Sequence, residues 1–148
     1  VLESFQAGLS WYTILSRRKN FEKAFDGYDY KKIANYNETK VEELMQDSGI
    51  IRNRLKILGT INNAKKFQEV QKEFGSFSKY IWGFVGGQPI VNTPKILTDV
   101  PATTPISDAL SKDLKKRGFK FLGSTVIYAH MQATGMVCDH LVDCHCKY

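Results

Sequence analysis

Apolar residues recur along the chain at the spacing of helices rather than strands. One helical face combines five apolar positions in the first half of the chain: Ile50, Ile57, Ile61, Ala64 and Phe67. This face predicts a helix from about Ile51 to Phe74. Strict alternation of apolar and polar residues, which is typical of half-buried strands, is hard to find anywhere. The pattern therefore predicts an all-α domain.

Capping signals mark a second helix. Thr39-Lys40-Val41-Glu42 has the capping-box spacing, in which the hydroxyl and the carboxylate satisfy each other's backbone amides. We therefore expect a helix that begins at Thr39 and ends at Asp47-Ser48-Gly49. Residues 86–105 carry all four prolines, which predicts a long connection with at most short helical pieces.

Two more helices should flank Gly118. Ser107 and Asp108 can cap a helix that ends at this glycine. From Phe121 onward, apolar residues again mark one face of a helix, which Gly135 terminates. The pattern thus predicts two helices joined by a tight turn.

Length and charge narrow the class of protein. A chain of 148 residues with 43% hydrophobic content is long enough to bury one core and fits a single domain. It contains no run of about 20 apolar residues and no signal-peptide pattern, so we expect a soluble, cytoplasmic protein without a membrane span. The formal net charge of +6 favours an anionic partner such as nucleic acid.

The cysteines all lie near the carboxyl end. Cys138, Cys144 and Cys146 are interspersed with His140 and His145. An odd number of cysteines crowded beside histidines is typical of metal binding or of reduced cytosolic thiols, rather than of a disulfide framework.

A basic cluster surrounds the predicted turn. Four charged side chains lie next to Gly118: Lys115, Lys116, Arg117 and Lys120. The backbone amides that open the second helix, together with the helix dipole, form an anion site at such a turn. A phosphate would fit there, although an ordinary helix stop with a solvated basic face explains the charges equally well.

The same turn resembles a helix-hairpin-helix element. Apolar Leu114 precedes Gly118, apolar Phe119 follows it, and the small residue Ser124 comes six positions after the glycine. The stretch departs from the usual pattern at Lys120, where a second glycine is common.

Four separated segments resemble one known family in the right order. They are LESFQAGLSW (2–11), DSGIIRNRLKI (47–57), DALSKDLKKRGFKFLGST (108–125) and MQATGMVCDHLVDC (131–144). Together they resemble the 3-methyladenine DNA glycosylase I family of the helix-hairpin-helix glycosylase superfamily. The resemblance implies one helical glycosylase domain over residues 1–148, with the helix-hairpin-helix element at 108–135 and a zinc-ligand tail at 138–148.

The resemblance also implies an activity and a partner. It implies a monofunctional hydrolase that cleaves the N-glycosidic bond of 3-methyladenine in double-stranded alkylated DNA, the first step of base excision repair. The base would be flipped out of the duplex into an aromatic pocket. We expect the protein to act as a monomer.

The family's functional residues map onto the opening segment. Glu3 matches the pocket glutamate, which would bind the base and stabilise positive charge on the sugar, and Trp11 matches a tryptophan that stacks on the base. Gly8 and Leu9 match a loop tip that probes or plugs the duplex, for which an apolar leucine is suited. A base methylated at N3 carries positive charge, so both a carboxylate and an indole face attract it.

The resemblance assigns the remaining DNA contacts to the hairpin. Lys116, Gly118, Lys120 and Ser124 would contact the phosphate backbone. Asp139 lies near the position of the wider superfamily's catalytic aspartate, but we rank it below Glu3, because an aspartate beside a metal ligand is more often structural.

The tail should hold a structural zinc. His140 and Cys144 match the family's C-terminal ligands, and their spacing suits one wall of a tetrahedral site. The family's other two ligands lie in an N-terminal segment that this sequence does not include, so we expect the chain to be incomplete relative to the family. A local site formed by Cys138, His140, Cys144 and Cys146 is the alternative.

Two other functions compete with a glycosylase. One is a helix-hairpin-helix module that binds DNA without catalysis, for which Glu3 beside Trp11 would have no use. The other is a structural zinc-containing helical domain, which leaves the Gly8-Leu9 tip and the basic hairpin unexplained.

Overall fold

The computed structural model describes residues 1–147 and confirms the all-α prediction. The helices that it contains are α1 (Leu2–Phe5), α2 (Trp11–Leu15), α3 (Arg18–Ala24), α4 (Tyr30–Ala34), α5 (Glu38–Gln46), α6 (Arg54–Phe74), α7 (Phe77–Trp82), α8 (Pro105–Lys116) and α9 (Ser124–Ala133). Two short strands, β1 (Ile90–Val91) and β2 (Val137–Cys138), and three 3₁₀ helices, at Asp26–Tyr28, Gly83–Val85 and Leu97–Asp99, complete the regular structure of the described residues. Over residues 1–147, no helix has both the length and the apolar character needed to cross a membrane.

Helix α6 begins later than its apolar face predicted. Asn53 has extended backbone angles, and its side chain accepts a hydrogen bond from the Lys56 amide at 3.1 Å. This cap places the start at Arg54, three residues after the predicted Ile51. The end at Phe74 is confirmed, since Gly75 takes a φ of 84° there.

The capping box predicted at Thr39 is wrong. The side chain of Asn37 caps α5 instead, accepting a hydrogen bond from the Lys40 amide at 2.9 Å. Asparagine is among the best N-cap residues, and its extended backbone turns the chain into the helix before Thr39 is reached.

Helices α8 and α9 flank the predicted turn. Thr104 and Ser107 cap each other's backbone amides, so α8 begins at Pro105, ahead of the predicted cap. Helix α9 begins at Ser124 rather than near Phe121, because Phe121 lies in the left-handed region with a φ of 61° and cannot continue a helix.

A two-stranded parallel sheet ties the proline-containing connection to the tail. The Ile90 amide donates to the Met136 carbonyl at 2.9 Å, and the Asn92 amide donates to the Cys138 carbonyl at 3.0 Å. These strands have two residues each, too short for an alternating pattern to reveal them.

Helix α6 passes through two hydrophobic cores. The first core combines buried residues of α1–α6 and the residue that follows α3: Phe5, Phe21, Phe25, Leu44 and Ile57 among others. The second core combines buried residues of α6–α9 and β2: Val70, Tyr80, Leu114, Tyr128 and Met131 among others. Because α6 contributes to both, it fixes the position of one core relative to the other.

A buried lysine joins α6 to the opening segment. The Lys56 side chain is 8% exposed, and its ammonium group donates to the Phe5 and Ala7 carbonyls, each at 2.8 Å. Phe5 is the last residue of α1, where unpaired carbonyls favour a cation. Lys56 therefore holds the segment that carries Glu3 and Gly8.

We predict that Lys56→Met lowers the free energy of unfolding by about 2–3 kcal/mol, because the two carbonyls lose a charged donor and methionine supplies none. Lys65→Met, an exposed position on the same helix, is the matched control and should change stability by less than about 0.5 kcal/mol. Chemical denaturation measures both variants. A Lys56→Met protein as stable as the wild type would show that the carbonyl contacts make no net contribution.

Candidate active site

A cavity of about 310 Å³ lies between the two cores. Ile33 and Ala64 of the first core face it, as do Leu110 and Phe119 of the second. Aromatic and polar side chains also line it: Glu3, Tyr28, Tyr30, Phe67, Phe77 and His130. A mostly apolar cavity of this size with a few polar groups is typical of a small-ligand site.

Glu3 brings a carboxylate into this apolar cavity. Its side chain is partly buried, and within residues 1–147 it accepts no hydrogen bond. Burial raises the pKa of the Glu3 carboxyl. A carboxylate with reduced hydration attracts a cation more strongly than one in bulk water. The cavity therefore suits a flat, positively charged ligand.

Trp11 is not brought into the same cavity. It is the first residue of α2, its side chain is 43% exposed, and it does not belong to the cavity lining. Ser10 caps this helix by accepting a hydrogen bond from the Thr13 amide, which fixes the start of α2 just after the loop. The stacking role of Trp11 stays a prediction.

The Gly8-Leu9 loop has an exposed tip and an anchored leucine. Gly8 has a φ of 79°, and a Cβ atom at this position would meet no atom of the described residues within 4 Å. Leu9 packs partly buried against the first core. Gln6 closes the loop, since its carbonyl accepts from the Leu9 amide at 2.8 Å and its side chain donates to the Leu9 carbonyl at 3.0 Å. Gly8, rather than Leu9, is therefore the more exposed part of the tip.

Two asparagines of α6 hold the hairpin that connects α8 and α9. The Asn63 side chain accepts from the Lys120 amide at 2.8 Å and donates to the Lys120 carbonyl at 2.8 Å. Asn62 donates to the Gly118 carbonyl at 2.7 Å. Because Asn63 also lines the cavity, one side chain touches both the cavity and the hairpin.

The predicted hairpin residues lie together, but in different surroundings. Lys116 and Lys120 are exposed, and Gly118 takes a φ of 92° that a side chain would strain. The Ser124 hydroxyl donates to the Asp108 carboxylate at 2.5 Å, so it is already engaged within the protein. Gly123 precedes α9 and has no side chain to cap it, which leaves the first backbone amides of α9 available to an anion.

His140 and Cys144 also lie together. The His140 Nδ1 and Cys144 Sγ atoms are 3.5 Å apart. In a tetrahedral zinc site with Zn–S of about 2.3 Å and Zn–N of about 2.0–2.1 Å, these atoms are separated by about 3.5 Å. The pair therefore fits zinc.

The group of neighbouring ligand atoms in the tail differs from the local four-residue site of Cys138, His140, Cys144 and Cys146. The ligand atoms of Cys144, His145 and Cys146 lie within 4.8 Å of one another. Cys138 is not part of that group and is buried in β2, at 2% exposure.

Asp139 has a structural environment. Its carboxylate accepts hydrogen bonds from the Tyr128 hydroxyl at 2.5 Å, from Asn92 at 2.7 Å and from Gln132 at 2.9 Å. Burial alone would raise the pKa of Asp139, but these donors lower it. A carboxylate that three donors hold ionised has little capacity to accept a proton.

Lys56 and Asn63 were absent from the candidate site residues. The missed signal is a polar series on one face of α6, in which Lys56, Thr60 and Asn63 precede Phe67 at helical spacing. Apolar patterning draws attention to the neighbouring stripe of Ile57, Ile61 and Ala64, so the polar series is overlooked.

Comparison with known proteins identifies the family. The family model for methyladenine glycosylase matches residues 1–148. The chain is 49% identical to DNA-3-methyladenine glycosylase of Haemophilus influenzae (strain ATCC 51907 / DSM 11121 / KW20 / Rd) over 146 residues, which cover 99% of this chain and 79% of the relative. It is 48% identical to DNA-3-methyladenine glycosylase 1 of Escherichia coli (strain K12) over 145 residues, which cover 98% and 78%.

A solved structure shows the same fold. It is a variant of 3-methyladenine DNA glycosylase I in complex with 3-methyladenine, with a TM-score of 0.96 and 35% sequence identity, and the match covers 99% of this chain and 79% of that chain. The helical fold is thus that of a base-removing class of enzyme. The chain belongs to the methyladenine glycosylase family.

Proposed function

We propose that this protein hydrolyses the N-glycosidic bond of 3-methyladenine in double-stranded alkylated DNA and so begins base excision repair. The observation that carries the proposal is the partly buried Glu3 carboxylate in an apolar cavity between the two cores. Membership of the family and the complex of a structural neighbour with 3-methyladenine support it.

The chemistry follows from the charge of the lesion. A purine methylated at N3 is cationic and already a good leaving group, so the enzyme has little need of strong acid catalysis. The Glu3 carboxylate would accept a hydrogen bond from the exocyclic amine and stabilise the positive charge that develops on the sugar as the bond breaks. The mostly apolar walls lower the local polarity and so strengthen this attraction.

The hairpin and the loop tip would hold the duplex. Exposed Lys116 and Lys120 lie close to the uncapped start of α9, where backbone amides and the helix dipole favour a phosphate. The exposed Gly8 tip, backed by the anchored Leu9, would press on the duplex at the place that the flipped nucleotide leaves. Trp11, two residues after Leu9, would stack on the base as it enters.

We also propose that His140 and Cys144 bind a structural zinc ion. Their separation of 3.5 Å supports this, and a bound ion would supply cross-linking of the tail rather than chemistry on the base. Asp139, adjacent to His140, anchors the tail to β1 through Asn92.

We also propose that the protein is a monomer and that it acts in the cytoplasm. Cys138, Cys144 and Cys146 are all free thiols, in keeping with a reducing compartment.

We predict that Glu3→Gln slows release of 3-methyladenine from methylated duplex DNA by about 10²-fold or more, because the developing cation loses its counter-charge. Wild-type activity should rise with pH through an ionisation above the ordinary glutamate pKa of about 4.3, since burial raises the pKa of Glu3 and only the ionised form stabilises a cation. The variant should lack this rise.

Glu43→Gln, which removes an exposed carboxylate of α5, is the control for the loss of one charge. It should excise at the wild-type rate with the wild-type pH profile. Equal activity of Glu3→Gln and wild type would contradict the proposed role of Glu3.

If the hairpin binds phosphate, Lys120→Glu should weaken binding to undamaged duplexes of every sequence and reduce the slope of log affinity against log salt by about one. Lys32→Glu makes the same charge change at an exposed position of α4 and should leave the slope unchanged. Fluorescence anisotropy over a salt series measures both slopes. Equal slopes for the two variants would refute a local phosphate contact.

For the tail, we predict that His140→Ala and Cys144→Ala each abolish most of the zinc binding measured by chelator competition. Cys138→Ala should leave it unchanged, because Cys138 is buried in β2. Cys146→Ser distinguishes the two possible ligand sets. A large loss of zinc affinity would indicate a local site within the tail, and a small loss would indicate that the other ligands lie outside the tail. Retention of full affinity by His140→Ala would exclude the proposed site.

A further inference from the structure

A buried hydroxyl without a partner lies in the cavity. The Tyr28 hydroxyl is the one buried side-chain polar atom among residues 1–147 that makes no hydrogen bond. Burying a hydroxyl without a partner costs about 1–3 kcal/mol, so such groups are rare, and a bound ligand is one explanation for them. Tyr28 lines the same cavity as Glu3.

The backbone around Tyr28 is strained. Asp26, Gly27 and Tyr28 have φ values of 52°, 64° and 62°, so two non-glycine residues adopt the left-handed region within one turn. Such conformations are unfavourable and persist only where the surroundings fix them. The Tyr36 hydroxyl donates to the Asp26 carboxylate at 2.5 Å, and the Tyr28 amide donates to the Phe25 carbonyl at 2.9 Å. The fold therefore holds this turn in place although the turn itself is unfavourable.

Tyr30 provides a contrast in the same cavity. Its hydroxyl accepts a hydrogen bond from the Gln71 side chain at 3.3 Å, so its polar atom is satisfied without a ligand. Two tyrosines thus line one cavity, and Tyr28 alone of this pair has a hydroxyl free for a further hydrogen bond.

We propose that Tyr28 is a base-binding residue whose hydroxyl forms a hydrogen bond with the 3-methyladenine that Glu3 holds in the cavity. This inference rests on the proposed function. Burial and the nearby Glu22 raise the pKa of Tyr28, outweighing the effect of Arg18, so the hydroxyl stays protonated. A neutral hydroxyl both donates and accepts, as the edge of an adenine requires. It complements Glu3, which only accepts.

The test compares Tyr28→Phe with Tyr12→Phe, each of which removes one hydroxyl and keeps the ring; Tyr12 is 80% exposed on α2 and does not line the cavity. Isothermal titration calorimetry with free 3-methyladenine measures binding, and thermal unfolding measures stability without ligand. Tyr28→Phe should bind the base about tenfold more weakly, as expected for one lost hydrogen bond. Its melting temperature without ligand should equal or exceed that of the wild type, because the variant no longer buries an unpaired hydroxyl. Tyr12→Phe should bind the base within about twofold of the wild type.

The outcomes separate this inference from the proposed function. If the wild type binds the base and Tyr28→Phe binds it equally well, the inference is wrong and only water pairs with the hydroxyl. If both variants bind the base equally weakly, the inference is also wrong, because the loss of affinity would then not be specific to the Tyr28 hydroxyl. If the wild type itself fails to bind 3-methyladenine, both the proposed function and the inference fail.

Discussion

The arrangement of the site depends on polar side chains of α6 that hold the main chain of other segments. Lys56 donates to the Phe5 and Ala7 carbonyls near the start of the helix, and Asn63 pairs with the Lys120 backbone two turns later. Backbone groups offer fixed donors and acceptors whatever their side chains, so these contacts specify position closely. The segment that carries Glu3 and the hairpin are therefore both held by one rigid helix, which keeps the two at a constant separation.

This arrangement has an energetic cost. Lys56 is desolvated, burial lowers its pKa, and the Tyr28 turn adopts a left-handed backbone. Aromatic packing in the first core, where the Phe5 and Phe21 rings lie 4.9 Å apart, offsets part of it. A cavity between two cores also forgoes packing that would otherwise stabilise the fold. The protein thus maintains, before any ligand arrives, a site whose polar groups are poorly satisfied.

The sequence predicted the helical fold and the long α6 because both depend on apolar periodicity. It also indicated the hairpin, since Gly118 and its basic neighbours mark a turn locally. It did not predict the roles of Lys56 or Asn63, because local spacing shows a polar face on α6 but not the backbone partners, which lie 49 to 57 positions away. Tyr28 was missed for a similar reason. Its unpaired hydroxyl and its positive φ are properties of the folded structure, and the neighbouring residues in the sequence do not indicate them. Trp11 lies near Glu3 in sequence but outside the cavity lining, so its stacking role stays a prediction.

The contrast between two carboxylates explains how such a protein would use Glu3. Asp139 is saturated by three donors and held ionised, so it has little remaining attraction for a bound cation. Glu3 has no donor among the described residues and lies in apolar surroundings, so its charge is poorly compensated until a cation enters. A neutral adenine would give Glu3 a hydrogen bond but no counter-charge, whereas a methylated one gives both. Selection for the lesion would then follow from electrostatics, with shape as a secondary filter.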